Sequence, residues 1–143
     1  MIKTFRGKLA DGGQDTIRLS TNTGLTGYRI VKFQLITAAP GAASIESIVK
    51  IFSVDPDATP TGTIDFNDPT ILGAGYITEN DATQYSISNV IVFDQTVFNQ
   101  DIYITHKDVS IGQAVNYYLE LEQVKLAKDE AAVATLKDMR GRE

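Results

Sequence analysis

Short runs of β-branched and aromatic residues, closed by turn residues, recur along the 143-residue chain, whereas apolar residues at helical spacing are scarce. Runs of this kind are typical of strands. The pattern predicts about eight strands, which cover Ile2–Leu9, Thr16–Ser20, Tyr28–Thr37, Ile45–Val54, Ile71–Thr78, Tyr85–Phe93, Asp101–His106 and Val115–Leu126. The segments between them are rich in Gly, Pro, Asn and Asp, which favour turns.

The third predicted strand shows the alternation of a sheet that is exposed on one face. We expect one set of side chains to face the core and another to face solvent. The inward set is Val31, Phe33 and Leu35, and the outward set is Lys32 and Gln34.

The last predicted strand alternates in the same way until its final residues. Tyr117, Leu119 and Leu121 are expected to face inward, but Val124 and Leu126 have the opposite parity. Because one extra residue reverses the facing of everything after it, a β-bulge near Gln123 would return the last two to the core.

The C-terminal segment, residues 129–140, is compatible with a helix or with an extra strand. Its alanines favour a helix with Asp129 as N-cap and Gly141 just beyond the end. Val133 and Thr135 permit a strand. A helix would align an apolar stripe that needs a docking site, formed by Val133, Leu136 and Arg140.

These elements together predict an all-β fold in which the C-terminal segment forms either one short helix or an extra strand. Eight short strands without regular helical crossovers favour two packed antiparallel sheets in one domain over residues 1–143, arranged as a jelly-roll-like sandwich. A small barrel is the alternative, because strand count alone does not distinguish closure from stacking.

The net charge of −5 is unevenly distributed along the chain. Residues 1–50 carry +4, residues 51–106 carry −8 without any Lys or Arg, and residues 107–143 carry −1. The acidic total argues against nucleic acid as the main partner. The first two blocks predict opposite poles if they fold onto different faces, and no poles if the strand order interleaves them.

Cysteine is absent, which excludes disulfides, thiolate nucleophiles and Cys-based zinc sites. The N-terminal residues lack the apolar run of a signal peptide, and no segment has the length and apolarity of a membrane span. We therefore expect a protein made in the cytoplasm with no membrane partner.

Catalytic constellations are not recognisable in the sequence. His106 is the single histidine, with Asp101 and Asp108 near it only along the chain, and neither a nucleophile elbow nor a phosphate-binding loop is present. The sequence predicts a structural or surface role for His106, no enzymatic activity, no catalytic residues and no cofactor.

Two features suggest binding rather than catalysis. The loop Asp55–Thr70 carries Asp55, Asp57, Asp65 and Asp68, which could bind calcium or form Asx turns. Four tyrosines indicate either a carbohydrate- or receptor-binding surface or half-buried sheet positions, and they are Tyr76, Tyr85, Tyr103 and Tyr118.

Several segments resemble small proteins encoded by marine bacteriophages. The C-terminal half contributes Phe98–Lys107, Asn116–Leu126 and Ala132–Lys137, and the N-terminal part contributes Phe5–Gly7, Asp11–Asp15 and Gly27–Phe33. The resemblance implies a virion structural protein, with a capsid decoration or cement protein as the first expectation and a tail or spike component as the alternative. It assigns no functional residue.

A particle protein of this kind implies the major capsid protein or another virion protein as partner, and self-association as a trimer or dimer. The basic N-terminal segment is the expected protein interface, particularly Lys3, Arg6 and Lys8. These charges would orient the protein on an acidic shell surface, while apolar contact supplies most of the affinity.

Overall fold

The computed structural model describes residues 1–40, 44–79 and 87–139. In these ranges the chain forms eight strands followed by one helix. The strands are β1 (Ile2–Leu9), β2 (Gln14–Ile17), β3 (Thr26–Thr37), β4 (Ile45–Phe52), β5 (Ile71–Glu79), β6 (Ile87–Phe93), β7 (Ile102–Asp108) and β8 (Val115–Lys125), and the helix is α1 (Lys128–Met139).

The strands form a three-stranded sheet in the order β1-β8-β3 and a five-stranded sheet in the order β2-β7-β4-β5-β6. All the strand pairs are antiparallel. This arrangement confirms the predicted two-sheet sandwich with a short C-terminal helix. Within the described ranges, no ladder joins the named strands of one sheet to those of the other, so the barrel alternative is wrong.

The pairing is nested as in a jelly roll. The first strand pairs with the last (β1 with β8), the second with the next to last (β2 with β7), and the fourth with the fifth. The remaining jelly-roll pair would be β3 with β6, but β6 is instead hydrogen-bonded to β5. The three-stranded sheet therefore ends at β3, and the five-stranded sheet ends at β6.

The core lies between the two sheets and consists of the inward-facing alternate residues of most strands. Its largest cluster is Leu9, Ile17, Leu19, Tyr28, Ile30, Phe33, Leu35, Ile45, Val49, Ile51, Leu72, Ile77, Phe98, Ile102, Ile104, Val115, Tyr117, Leu119 and Leu121. The sheets approach closely where β3 passes over β5. A Cβ atom on Gly75 would lie 2.7 Å from Leu35 Cδ1, so a side chain there would have to displace the Leu35 side chain.

The β-bulge is in a different strand from the predicted one. The β3–β8 register is continuous at Gln123 and shifts in β3 between Ile30 and Lys32. Val31 is consequently exposed and Ile30 is buried, so the predicted inward position of Val31 is wrong, whereas Phe33 and Leu35 are buried as expected.

Val124 and Leu126, whose parity led to the predicted bulge, pack against the helix. Leu126 is buried in a second cluster with Ala131 and Ala134 of α1, against which Val124 packs. The end of β8 thus contacts the helix rather than the space between the sheets. No reversal of parity is needed.

The helix docks through a different stripe from the predicted one. Its buried residues are Ala131, Ala134 and Asp138, whereas Val133 and Leu136 are exposed. Asp129 lies in the first turn and is not the N-cap, because the helix begins at Lys128. The predicted contributions of Arg140 and Gly141 lie outside the described residues.

A buried asparagine fixes the helix in place. The Nδ2 atom of Asn99 donates to Gly24 O at 3.0 Å and to Thr135 Oγ1 at 2.7 Å. The Asn99 backbone N–H donates to Asp138 Oδ2 at 3.0 Å. Burial raises the pKa of Asp138, although the backbone hydrogen bond from Asn99 partly opposes the shift.

The predicted loop Asp55–Thr70 covers the outer face of the five-stranded sheet. Ser53 N donates to Thr70 O at 2.8 Å and closes the loop at its base. Lys50 lies beneath it, buried, and its Nζ donates to Thr63 O at 2.8 Å. Burial lowers the pKa of Lys50 because it disfavours the charged form. The loop therefore packs on its own sheet.

In the part of the chain that the structure describes, no helix has the length and apolarity needed to cross a membrane.

Candidate functional site

The outer face of the three-stranded sheet carries most of its polar side chains in three aligned rows. Because side chains alternate along a strand, the outward residues follow from the register. From β1 they are Ile2, Thr4, Arg6 and Lys8, from β8 they are Asn116, Tyr118, Glu120 and Glu122, and from β3 they are Arg29, Lys32, Gln34 and Ile36.

One end of this face is charge-compensated. Arg29 donates to Glu122 Oε2 through Nε at 3.0 Å and through Nη2 at 2.7 Å. Lys32 Nζ lies 3.9 Å from Glu120 Oε2. Both cations of β3 thus lie opposite a glutamate of the central strand.

The other end carries positive charge without an acidic partner among the described residues. Arg6 lies opposite Tyr118 and Lys8 lies opposite Asn116, so the central strand offers neutral side chains here. No ion pair joins Arg6 or Lys8 to any residue that the structure describes. Both side chains are exposed.

A shallow cleft of about 540 Å³ occupies this end of the face, which we call the basic cleft. Its volume lies within the range of small-ligand sites. The residues that line it are Arg6, Gly7, Lys8, Gln34, Ile36, Asn116, Tyr117 and Tyr118. Two cations, an aromatic ring, two amides and an exposed isoleucine therefore share one concave surface.

Lys3 does not belong to the basic cleft. It has the opposite parity to Arg6 and Lys8 on β1 and lies opposite Leu121. Its Nζ is 5.8 Å from the centroid of the Tyr28 ring, within the range of a cation–π contact. The structure brings together two of the three predicted interface residues and directs the third away from them.

The chemistry of the basic cleft suits an anionic partner. Two unpaired cations above a low-dielectric surface attract carboxylates and other anions. The Tyr118 ring and the Ile36 side chain provide apolar area beside them, and the amides of Gln34 and Asn116 can both donate and accept hydrogen bonds.

His106 is a buried structural residue rather than an accessible base. It lies inside β7, with its side chain fully buried. Its Nδ1 is 3.2 Å from Leu9 O and 3.0 Å from Ala10 O, and its Nε2 is 3.0 Å from Ser47 Oγ. Because carbonyl oxygens only accept hydrogen bonds, Nδ1 must carry a hydrogen.

The contact between His106 and Ser47 has the spacing of a nucleophile–base pair, but neither residue is accessible. Ser47 is also fully buried, so a substrate cannot reach its hydroxyl in the folded sheet. The carboxylates of Asp101 and Asp108 do not orient the imidazole. Asp101 accepts hydrogen bonds from Leu19 and Ser20, and Asp108 accepts one from Glu46 N.

The acidic loop uses its carboxylates within its own turns. Asp55 Oδ1 accepts from Asp57 N, Asp65 Oδ1 from Asn67 N, and Asp68 Oδ1 from Thr70 N, each at 2.9 Å. These are Asx turns. Among the described residues, no three histidine or acidic side chains group in a way that could hold a metal ion.

The candidate tyrosines have separate surroundings. Tyr118 lines the basic cleft, and Tyr76 Oη donates to Glu46 Oε1 at 3.1 Å on the other sheet. Tyr103 is half-buried in β7, and Tyr85 lies outside the described residues. Of the candidate tyrosines that the structure describes, Tyr118 is the one that lies beside the cations Arg6 and Lys8.

The charge blocks of the sequence separate partly in space. Five cations of the first block lie on the three-stranded sheet, where two glutamates of β8 compensate part of the charge. The acidic residues of the second block lie on the five-stranded sheet or in its connections, except Asp81, which is outside the described residues. Lys50 interrupts this separation because it is buried in β4.

Comparison of the chain with known protein families gives no match. Comparison with curated proteins gives no match either. The resemblance to bacteriophage proteins therefore stays a prediction from the residues.

Sequence reasoning identified Arg6, Lys8 and Tyr118 but not the other residues of the basic cleft. Gln34, Ile36 and Asn116 join the cleft because of the register among β1, β8 and β3. The register between strands that are far apart in the sequence cannot be read from the residues of any one strand. The parity of Lys3, by contrast, could be read from the sequence of β1.

Proposed function

We propose that this chain is a structural protein of a bacteriophage particle, of the capsid decoration or cement kind, which binds the shell through the basic cleft. The observation that carries the proposal is that two cations, Arg6 and Lys8, have no ion-pair partner in the described part of the chain, on a sheet face whose other cations are compensated. The expected partner is an acidic surface of the major capsid protein. The protein would act in the virion after synthesis in the host cytoplasm.

In the basic cleft the charged residues and the apolar residues contribute to binding in different ways. Exposed ion pairs contribute only about 0–1 kcal/mol each, so Arg6 and Lys8 set orientation and association rate. Tyr118 and Ile36 supply apolar contact, and Ile36 is 62% exposed in the isolated chain. A partner that covers this isoleucine would gain the affinity that charge alone does not provide.

The proposal assigns no enzymatic activity, cofactor or nucleic-acid partner to the chain. The buried Ser47–His106 pair supports this assignment, because a catalytic base must be within reach of its substrate. The net charge of −5 disfavours binding to phosphate backbones.

The test measures attachment of the purified protein to shells that lack it. Replacing Arg6 and Lys8 with glutamine should slow attachment and weaken its dependence on salt. Lys3→Gln is the matched control, because it removes the same kind of charge from the same strand but from outside the cleft. Equal attachment rates for the wild type and the Arg6/Lys8 double variant at low ionic strength would rule out this docking surface.

Purified particles provide an independent test of the function itself. A decoration protein is present at a fixed ratio to the major shell protein, because shells offer repeated equivalent sites. A tail or spike component is present in far fewer copies. Absence of the protein from purified particles would contradict the virion proposal.

The composition of the basic cleft also favours a second candidate, a carbohydrate- or receptor-binding module of a tail or spike. The Tyr118 ring with the flanking amides of Gln34 and Asn116 is the specific observation. Such a module would bind acidic sugars in isolation. Tyr118→Ala would then abolish glycan binding, and the protein would show no affinity for shells.

A further inference from the structure

The edge strand β6 presents, at one side of the five-stranded sheet, backbone groups that are not hydrogen-bonded to any residue that the structure describes. Asp94 N donates to Leu72 O at 2.8 Å, which continues the β5–β6 register. Because hydrogen-bonded and non-hydrogen-bonded pairs alternate along an antiparallel ladder, Ser88, Val90 and Val92 direct their backbone groups towards β5. The backbone N–H and C=O groups of Asn89 and Ile91 therefore point away from β5, towards the open edge of the sheet.

β6 is also the edge strand without charge. Its sequence, Ile87–Phe93, contains no charged residue, proline or glycine. Val90 is 54% exposed and Val92 is 46% exposed on its outer face. Soluble proteins commonly protect edges with charge, proline or short length, and an unprotected apolar edge is a site of strand pairing.

The other edge strands are protected in the ways that β6 is not. β1 carries Lys3, Arg6 and Lys8, and β3 carries Arg29 and Lys32. β2 is only four residues long. A second copy of β1 or β3 placed antiparallel to itself would bring like charges together, which destabilises pairing. β6 placed beside its own copy brings no charges together.

We propose that β6 pairs with β6 of a second copy of this chain, antiparallel and about a twofold axis, which joins the five-stranded sheets of two molecules into one continuous sheet. If all seven residues of β6 pair with β6 of the second copy, Val90 lies on the twofold axis and faces Val90 of that copy. Ser88 then faces Val92, and Asn89 faces Ile91. The backbone groups that point away from β5 are satisfied by the partner strand.

The groove between β3 and β6 can receive the inward-facing side chains of the added strand. It has a volume of about 530 Å³ and lies between the β3 segment Val31–Ile36 and three residues of β6, Asn89, Ile91 and Phe93. An added strand beside β6 would place its own copies of these three residues towards this groove. The pairing is isologous and uses the β6 edge of both molecules, so it stops at a dimer.

The inference does not depend on the proposed function, because Arg6, Lys8 and Tyr118 of the basic cleft lie outside the β3–β6 groove, although Gln34 and Ile36 line both. Shell attachment and dimerisation can therefore fail separately.

Sedimentation equilibrium with two matched variants tests the pairing. Val90→Lys places like charges opposite each other on the axis and should raise the dimer dissociation constant by roughly tenfold or more. Val133→Lys makes the same change at a valine on α1 that is 66% exposed and should leave the constant unchanged. A monomeric or trimeric wild type, or a Val90→Lys variant that dimerises like the wild type, would overturn the proposal.

A cysteine cross-link tests the geometry in the folded protein. The chain contains no cysteine, so Val90→Cys introduces the sole thiol. In a non-hydrogen-bonded antiparallel pair the Cα atoms are about 4.5 Å apart, which a disulfide can span. Val90→Cys should form a disulfide-linked dimer on mild oxidation, whereas Val133→Cys should not. Equal cross-linking of the two variants would refute the β6 interface.

Discussion

Tyr117 Oη donates a hydrogen bond to Asp15 Oδ2 at 2.8 Å and so links the central strand of one sheet to an edge strand of the other. Gly7 makes this contact possible. It lies opposite Tyr117, and a Cβ atom there would be 2.9 Å from both the phenol oxygen and the Asp15 carboxylate. Burial, together with the hydrogen bond to Asp15, raises the pKa of Tyr117, so its phenol stays protonated.

We expect Tyr117→Phe to lower the free energy of unfolding by about 1 kcal/mol, the usual net contribution of one hydrogen bond. Urea denaturation measures the change. Tyr118→Phe is the control, because Tyr118 lies on the outer face of the same strand and should tolerate the loss of its hydroxyl. Equal effects of the two substitutions would show that the Tyr117–Asp15 contact does not link the sheets.

His106→Ala should lower the free energy of unfolding by about 2–4 kcal/mol. The substitution leaves a cavity and removes the partner of Leu9 O, Ala10 O and Ser47 Oγ. Ser47→Ala should cost less, since it removes a single contact. Thermal unfolding followed by circular dichroism measures both changes. Shell attachment per folded molecule should be unaffected, and a selective loss of attachment would contradict a purely structural histidine.

Asp101 should stabilise the protein in a pH-dependent way. Burial alone would raise its pKa, but hydrogen bonds from Ser20 and Leu19 outweigh burial, so its pKa lies below the ordinary value. A lowered folded-state pKa contributes stability that is complete above about pH 3.9 and is lost as the pH falls through the folded value. Asp101→Asn should therefore cost about 1–2 kcal/mol at pH 7 and progressively less below pH 3.9 in acid titrations of unfolding.

Asp138 provides a control, because its pKa shift has the opposite direction to that of Asp101. Its pKa is raised, chiefly by burial, so its contribution is complete below about pH 3.9 and is lost as the pH rises through the folded value. Relative to wild type, Asp138→Asn should gain stability as the pH rises. The same pH trend for both variants would contradict the assigned environments.

Asn99→Ala should release α1 from the sandwich. The substitution removes the side-chain hydrogen bonds to Gly24 O and Thr135 Oγ1, while the sheets retain their own core. The expected result is faster amide hydrogen exchange in α1 with little change in β7 or β8. Gln34→Ala is the control, because it removes an exposed amide from the outer face of β3, away from the helix. Uniform acceleration across all elements would show that the helix and the sheets unfold together.

The strands could be predicted because each is a short run of β-branched and aromatic residues closed by turn residues, a pattern that is local in the sequence. The bulge could not be placed from β8, because the helix buries Leu126 and removes the need for one. A usable signal was present in β3, where the adjacent apolar residues Ile30 and Val31 break the alternation. One of the two had to leave the core, and the structure exposes Val31.

The interface prediction was limited because ion pairing on the sheet depends on which distant strands are neighbours. The sequence shows that β1 is basic, and its parity already separates Lys3 from Arg6 and Lys8. The compensation of Arg29 and Lys32 by β8 depends on pairing between distant segments. No local pattern could show which cations have acidic partners.

The nested strand order has a consequence for how the chain folds during synthesis. Ile2 lies opposite Glu122, so β1 has no ladder partner until β8 has left the ribosome. β3 depends on the same late strand, whereas β4 and β5 can form a hairpin early. Non-local pairing of this kind is slow, because the entropy of closing the chain is lost before the contacts form. During this delay the uncharged β6 edge would be exposed to other nascent copies, so we expect slower synthesis of β8 to favour pairing between incomplete chains.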